Sequence, residues 1–137
     1  MNKRYFIHFT WIITLIMLTF LVLCLFDNIS VVYPICMYVV SMIIYVLPMS
    51  YIKSKEAKLI RLELDKKLID NKSIEEIIKT RTNRVLSYEE EGKCIYQMKN
   101  KYYKWLTNEI VLEKSSDRIY LTIPNAYRKY FARFDIN

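Results

Sequence analysis

Two long runs of apolar residues open the chain, and charged residues are frequent only after them. No formally charged residue occurs from Tyr5 to Phe26 or from Asn28 to Ile52, two runs of 22 and 25 residues separated by Asp27. Each run reaches the roughly 20 residues that a helix needs to cross a hydrocarbon core of about 30 Å. The pattern therefore predicts a transmembrane helical hairpin over residues 1–52. Pro48 lies about one turn from the end of the second run, where we expect it to kink the helix or weaken its last turn.

Basic residues flank both outer ends of the predicted hairpin, and the connection at 27–30 carries none. Lys3 and Arg4 precede the first run. A larger basic set follows the second run, namely Lys53, Lys55, Lys58 and Arg61. By the positive-inside rule, this distribution predicts two spans with both termini in the cytoplasm. The larger set is also a candidate site for anionic lipid headgroups, although the same residues are expected if they only set the topology.

A cleaved secretory signal peptide is the alternative interpretation of residues 1–26, with Lys3 and Arg4 as its positive region. The first apolar run is longer than the roughly 7–15 residues typical of such signals. No alanine precedes Ala57 to form a cleavage site, and a second apolar run follows at once. These features favour a retained membrane helix.

After the hairpin, apolar residues recur with helical spacing and charged residues stand between them. The stripe consists of Ala57, Ile60, Leu64 and Leu68, widened by Leu59, Leu62 and Ile69. Spacings of three and four residues are typical of an amphipathic helix. Ser73 to Glu76 then has the spacing of a capping box, which opens a further short helix. The pattern predicts an amphipathic helical linker over residues 53–82.

From Arg84 onward the helical spacing gives way to short runs rich in Tyr, Ile and Val. Five such runs are predicted strands: Val85 to Tyr88, Cys94 to Met98, Tyr102 to Leu106, Ile110 to Glu113 and Arg118 to Ile123. Turn residues separate the runs, as in an antiparallel meander. Pro124 stops the last strand and starts a closing helix that extends through Phe134. Residues 83–137 thus form a predicted small β-rich cytoplasmic domain, and the fold class is an α+β membrane protein.

Composition narrows the classes of function. The chain has 21 Lys plus Arg against 14 Asp plus Glu, a net charge of +7, which favours contact with an anionic leaflet. The basic residues are scattered among acidic ones without a recognition-helix or zinc-finger pattern, so we expect no nucleic-acid partner. A single histidine, His8, and three dispersed cysteines give no metal spacing, and one glycine, Gly92, cannot form a phosphate-cradling loop. We therefore predict no enzyme activity, no metal and no cofactor.

A second candidate site lies in the β-rich part, at Lys101, Tyr102, Lys104 and Trp105. Tryptophan and tyrosine are typical anchors at interfaces, and lysines suit lipid headgroups or an acidic partner. The alternative interpretation makes Trp105 a core tryptophan of the β domain, and the pattern favours this alternative.

Four short motifs in the second half suggest a family. They are Tyr103 to Leu106, Ile110 to Lys114, Asp117 to Leu121 and Ile123 to Tyr127. Together with the hairpin, these motifs resemble the YcxB-like group of bacterial membrane proteins, whose soluble part resembles a bacterial pleckstrin-homology (PH) fold. The resemblance covers roughly residues 84–131. It implies a PH-like domain closed by a C-terminal helix, the bacterial cytoplasmic membrane as the location, and no enzyme.

Two functions follow as expectations. The first is a non-enzymatic bacterial membrane protein that presents a PH-like interaction module, and the resemblance adds self-immunity against a membrane-active bacteriocin. Its expected partners are anionic bilayer headgroups and a protein partner or a second copy of the chain. The alternative is a small two-helix structural subunit of a membrane complex, such as a secretion or conjugation channel or a transporter.

Overall fold

The chain divides into two compact units. The structure, a computed structural model, describes residues 1–66 and 71–136, with Asn71 described for its backbone alone. Unit 1 comprises Met1–Lys55 and unit 2 comprises Glu56–Asn137. We call them the hairpin unit and the sheet unit.

The hairpin unit consists of two long apolar helical segments, as the sequence predicts. Helix α1 (Lys3–Phe26) begins after Asn2, whose side-chain oxygen accepts the N–H of Arg4 at 3.0 Å. After the connection, in which Asn28 has a left-handed φ of 54°, the second segment runs through α2 (Val32–Ser41), a π-helical turn and α3 (Leu47–Glu56). Both segments have the length and composition of membrane spans.

Pro48 does not break the second segment. Proline lacks an N–H and its ring crowds the carbonyl four residues earlier, here that of Ile44. The preceding turn, Met42–Val46, is π-helical, and the N–H of Leu47 bonds to the Met42 carbonyl five residues back. The wider turn accommodates the proline, and the helix continues to Glu56.

Buried side chains of the two helical segments lie at both ends of the unit, with Cys24 and Pro34 near the connection and a second group near the chain's N-terminal end. Tyr5, Phe9 and Val46 are buried there, and the rings of Phe9 and Tyr45 meet edge to face at 5.9 Å. Farther along, the hydroxyls of Thr14 and Tyr38 form a hydrogen bond of 3.3 Å. Most other apolar side chains of this unit point outward.

The sheet unit is built on five antiparallel strands, four of which coincide with predicted strands. The strands are β1 (Leu59–Asp65), β2 (Val85–Glu90), β3 (Lys93–Gln97), β4 (Ile110–Lys114) and β5 (Arg118–Pro124). Their spatial order is β1-β5-β4-β3-β2, so β2 to β5 form a meander and β1 pairs with the last strand. Between β2 and β3, Glu91 and Gly92 both have positive φ, of 48° and 79°, as a two-residue type I′ turn requires.

The predicted helical linker is wrong for residues 59–65, because they form strand β1. Ile60, Leu62 and Leu64 alternate with charged residues, and this two-residue period places all three on the core face of the sheet. Pairing with β5 in register, such as Leu62 opposite Leu121, stabilises the strand. The predicted second helix of the linker is present as α4 (Asn71–Thr82), whereas Leu68 and Ile69 of the predicted stripe lie outside the described residues.

The predicted strand at Tyr102 to Leu106 is also wrong, since these residues form helix α5 (Lys101–Leu106). Asn100 caps it, because its side-chain oxygen accepts the N–H of Tyr102 at 2.8 Å. The helix ends at Thr107, whose N–H and hydroxyl both bond to the Tyr103 carbonyl. Capping satisfies N–H groups that a strand would have offered to a neighbour, so a local interaction overrides the strand preference of Tyr and Trp.

Helices cover one face of the sheet and leave the other open. Ile74 and Ile78 of α4 and Phe131 of α6 (Arg128–Phe131) are fully buried in one core with the apolar strand residues. Helix α6 lies between two 3₁₀ turns, Asn125–Tyr127 and Ala132–Phe134, and forms the predicted closing helix. The N–H of Ile136 then bonds to the Glu63 carbonyl, so the chain end covers the free edge of β1.

Charged and polar residues occupy the open face. Arg61 binds Glu113 at 2.9 Å, and Lys93 binds the same carboxylate at 3.2 Å. The guanidinium of Arg61 also lies 4.4 Å from the ring centre of Tyr120, and Arg118 pairs with Glu63. This face is therefore a network of exposed ion pairs, while the opposite face holds the core.

Candidate binding surfaces

Helix α5 presents three aromatic side chains to the surroundings. Tyr102, Tyr103 and Trp105 are 47%, 50% and 42% exposed, while Leu106 alone turns into the core. The ring centres of Tyr102 and Trp105 are 6.0 Å apart, and those of Tyr102 and Tyr103 are 5.8 Å apart. The favoured interpretation of Trp105 as a core residue is thus wrong, because its side chain is exposed and Leu106 is the buried residue of the helix.

The structure brings the second candidate site together on this one helix. Lys101 and Lys104 are exposed beside the aromatic rings. We call the set of Lys101, Tyr102, Tyr103, Lys104 and Trp105 the α5 patch. Aromatic rings flanked by ammonium groups suit an interface in which one side is apolar and the other negatively charged.

The first candidate site is divided between the two units. Lys53 and Lys55 lie in the last turn of α3, where cations interact favourably with the helix dipole. Lys58 precedes β1 and is exposed. Arg61 lies on the open face of the sheet, where Glu113 and Tyr120 hold it. The single helical cluster that the spacing implied is therefore not formed, and Arg61 already has partners within its own sheet.

The sheet unit contains a groove that the sequence patterns did not predict. It has a volume of about 860 Å³ and lies where the end of α4, the start of β2 and the segment before α5 meet. Basic residues Lys79, Arg84 and Lys99 line it, together with the apolar side chains of Val85, Met98 and Tyr103. Glu76 is the one carboxylate among the lining residues. The sequence signal was weak, because these residues come from three separate segments.

Arg84 is the least expected member of the groove, because it is a charged residue and yet is only 1% exposed. Its Nη2 donates to the Asn108 carbonyl at 2.8 Å, Nη1 reaches the Thr82 carbonyl at 3.4 Å, and the guanidinium lies 5.1 Å from the Tyr127 ring centre. No described residue partners Nε. Neutral carbonyls and a ring hold this cation, and the described residues provide it with no carboxylate.

Two buried titratable groups lie on the core face of β3. Burial raises the pKa of the Cys94 thiol, with Glu89 adding to the effect and Lys114 opposing it. Burial also raises the pKa of the Tyr96 phenol, and the negative charge of Glu75 adds to it. Both groups therefore stay protonated at neutral pH, and a protonated thiol is a poor nucleophile. Within residues 1–66 and 71–136, no three His, Cys, Asp or Glu residues are grouped to hold a metal ion.

Comparison of the chain with family models, curated proteins and solved structures finds no match. The resemblance to YcxB-like proteins and to a PH fold therefore stays a prediction. The structure shows an α+β chain with two long apolar helices and a five-stranded antiparallel sheet.

Proposed function

We propose that this chain is a non-enzymatic bacterial membrane protein that spans the cytoplasmic membrane twice and holds the sheet unit against the inner leaflet as a binding module. Helices of 24 and 25 residues extend for about 36 Å, which exceeds the hydrocarbon thickness. Only 11% of the residues in the most apolar stretch of each helix are buried, whereas a core helix of a water-soluble protein would be mostly buried. The apolar surface therefore needs lipid or another apolar partner.

The orientation rests on charge. Lys3 and Arg4 at the start of α1, and Lys53 and Lys55 in the last turn of α3, mark one end of both spans. The connection that follows Phe26 contains Asp27 and no basic residue. The positive-inside rule then assigns both termini, and with them the sheet unit, to the cytoplasm.

The single observation that carries the binding role is the exposure of Tyr102, Tyr103 and Trp105 beside Lys101 and Lys104. Interfacial Trp and Tyr rings sit at the level of lipid headgroups, and each nearby Lys contributes about 1 kcal/mol at an anionic surface. An anionic bilayer surface is therefore the partner that fits the α5 patch. Lys53 and Lys55 would add to the same attraction.

Tryptophan fluorescence tests this role in the full chain. The chain has two tryptophans, so Trp11→Phe leaves Trp105 as the only reporter. In nanodiscs that contain phosphatidylglycerol, we expect a blue-shifted Trp105 emission that brominated lipids quench. In nanodiscs of phosphatidylcholine alone, we expect less of both.

Lysine variants supply the control for this experiment. Lys101→Ala with Lys104→Ala should abolish the difference between the two lipids, whereas Lys66→Ala with Lys72→Ala should preserve it. An emission that is identical in both nanodiscs would contradict the lipid role. If an added protein alone shifts it, the α5 patch binds a protein instead.

The self-immunity role rests on the resemblance alone. Deletion of the gene should then sensitise the cells to a membrane-active peptide, and expression of the full chain should restore resistance. Unchanged sensitivity would remove this role and leave the binding module in place.

The structural-subunit alternative has one observation in its favour. A cavity of about 200 Å³ lies along the hairpin between Thr14, Leu21, Pro34 and Tyr38. An apolar groove between two spans suits a third helix, since transmembrane helices associate by close packing. A complex that stays with the chain in mild detergent, and that dissociates when Leu21→Trp fills the groove, would favour this alternative.

A further inference from the structure

The groove of the sheet unit has an excess of positive charge. Lys79, Arg84 and Lys99 stand against the single carboxylate of Glu76, an excess of two charges. Lys79 and Lys99 are exposed and make no ion pair with any described residue. By contrast, the basic residues of the open face, Arg61, Lys93 and Arg118, each pair with a carboxylate, although Arg61 and Lys93 share Glu113. The groove is thus a basic region whose countercharge is not supplied by the described residues.

Arg84 makes this excess a fixed property of the fold. A buried cation is costly unless an anion compensates it, and carbonyl groups supply only partial compensation. The contacts with Asn108 and Tyr127 hold the guanidinium in one position. Because its surroundings have a low dielectric constant, its field is screened less than that of an exposed lysine. Arg84 therefore acts as a positioning residue that raises the potential of the groove.

We propose that this groove binds a small organic phosphate. A phosphate monoester carries about −1.5 to −2 charges at neutral pH, which matches the excess of two positive charges. The exposed ammonium groups of Lys79 and Lys99 supply charge-assisted hydrogen bonds to its oxygens. The apolar side chains of Val85, Met98 and Tyr103 contact the organic part. A volume of about 860 Å³ lies within the usual range of small-molecule sites.

This site is separate from the membrane contact proposed above. The groove lies within the sheet unit and shares Tyr103 alone with the α5 patch, and it excludes Lys101, Lys104 and Trp105. The phosphate site can therefore be present whether or not the α5 patch binds lipid. A soluble ligand tests the groove, and an anionic bilayer tests the α5 patch.

The experiment uses the full chain in nanodiscs of phosphatidylcholine, which carry no net charge. Phenyl phosphate, inorganic phosphate and benzyl alcohol are titrated by isothermal calorimetry. We expect phenyl phosphate to bind more tightly than inorganic phosphate, because it also contacts the apolar wall, and benzyl alcohol to give no measurable binding.

Two pairs of substitutions locate the site. Lys79→Ala with Lys99→Ala should weaken phenyl phosphate by at least about tenfold for each lysine, because each charge-assisted hydrogen bond is lost. The matched control, Lys66→Ala with Lys72→Ala, removes the same charge from the sheet unit outside the groove and should leave the affinity within about twofold. Arg84→Gln should weaken binding with both lysines intact, and its circular dichroism shows whether the fold persists.

Two results would overturn the proposed phosphate site. Equal losses in the groove pair and the control pair would reduce the effect to general electrostatics and overturn the proposal, as would absence of phenyl phosphate binding. A further arm identifies the source of the phosphate. Competition by phosphatidic acid in the nanodisc assigns a lipid headgroup, and binding that phosphatidic acid leaves unchanged assigns a soluble ester.

Discussion

Phe131 in the sheet unit is 0% exposed, whereas Phe20 in the hairpin unit is 45% exposed. The same contrast separates Ile119, which is fully buried, from Ile44, which is 71% exposed. Burial of apolar surface is worth roughly 25 cal/mol per Å² where the alternative is water. The sheet unit obtains this stabilisation from its own chain, while the hairpin unit leaves its apolar surface to whatever surrounds it.

The two units should therefore be sensitive to different kinds of substitution. In the sheet unit a lost methyl group leaves a cavity, because the core is closed and close-packed. On the outside of the hairpin unit, the proposed lipid surroundings would make polarity matter more than size, because lipid adapts to shape and does not solvate charge. Four predictions follow from this contrast.

The largest effect is expected from Phe131→Ala, which should lower the free energy of unfolding by about 3–5 kcal/mol. The matched control is Phe20→Ala, which deletes the same atoms from an exposed site of α1 and should change it by less than about 0.5 kcal/mol. Urea unfolding of the full chain in nanodiscs, followed by circular dichroism of the sheet unit, measures both. Similar losses for the two variants would break the contrast between the units.

Introducing a charged residue should have the opposite pattern, with the larger effect in the hairpin unit and the smaller effect in the sheet unit. Leu15→Arg places a guanidinium on the outer side of α1, at a cost of about 2.5–3.5 kcal/mol for membrane insertion. Leu86→Arg, at a 51% exposed position of β2, is the control and should insert like the unchanged chain. The measure is the fraction of chain that remains in membranes after a carbonate wash. Equal recovery of both variants would argue against a bilayer around α1.

Stability of the sheet unit should fall in alkali. Burial raises the folded-state pKa of Tyr96 above its unfolded value, so the folded state retains the phenolic proton longer. The resulting stability is complete below about pH 10 and is lost as the pH rises further, by up to about 1.4 kcal/mol per pH unit for one proton. Tyr96→Phe should flatten this part of the curve. If stability falls with pH equally in the unchanged protein and in Tyr96→Phe, Tyr96 does not cause the loss.

The smallest effect is expected on the open face. Arg61 and Glu113 form an ion pair whose side chains are 60% and 28% exposed, and pairs of this kind contribute at most about 1 kcal/mol. A double-mutant cycle with Arg61→Ala and Glu113→Ala should give a coupling in this range that decreases in 1 M salt. A salt-independent coupling above about 2 kcal/mol would mean that the open face is covered.

The long apolar helices were predictable because the absence of charge is a property of the local sequence. Strand β1 was not, since Ile60 and Leu64 satisfy the helical spacing while Ile60, Leu62 and Leu64 satisfy the alternating one. Pairing with β5 decides between them, and that strand begins only at Arg118. The residues of β1 alone therefore do not indicate that the segment pairs with a strand so far along the chain.

Helix α5 and Arg84 illustrate two further limits. The aromatic run at Tyr102 to Trp105 favours a strand by propensity, but the chain is helical there and the Tyr102 N–H donates a capping hydrogen bond to the Asn100 side chain. Arg84 is held by the Asn108 carbonyl, a group that every residue carries and no sequence pattern distinguishes. The α5 patch was predictable in its residues because they are adjacent, whereas the groove was not, because three segments build it.

The π-helical turn at Met42–Val46 has a consequence for the geometry of the second helical segment. Its hydrogen bonds reach five residues back instead of four, so it holds one residue more than a regular turn. In an uninterrupted α-helix of the same residues, the side chains from Leu47 onward would be rotated by about 100° relative to those before Ser41. The side chains before and after the π-helical turn, such as those of Tyr38 and Ser50, therefore have relative directions that an uninterrupted helix would not give them.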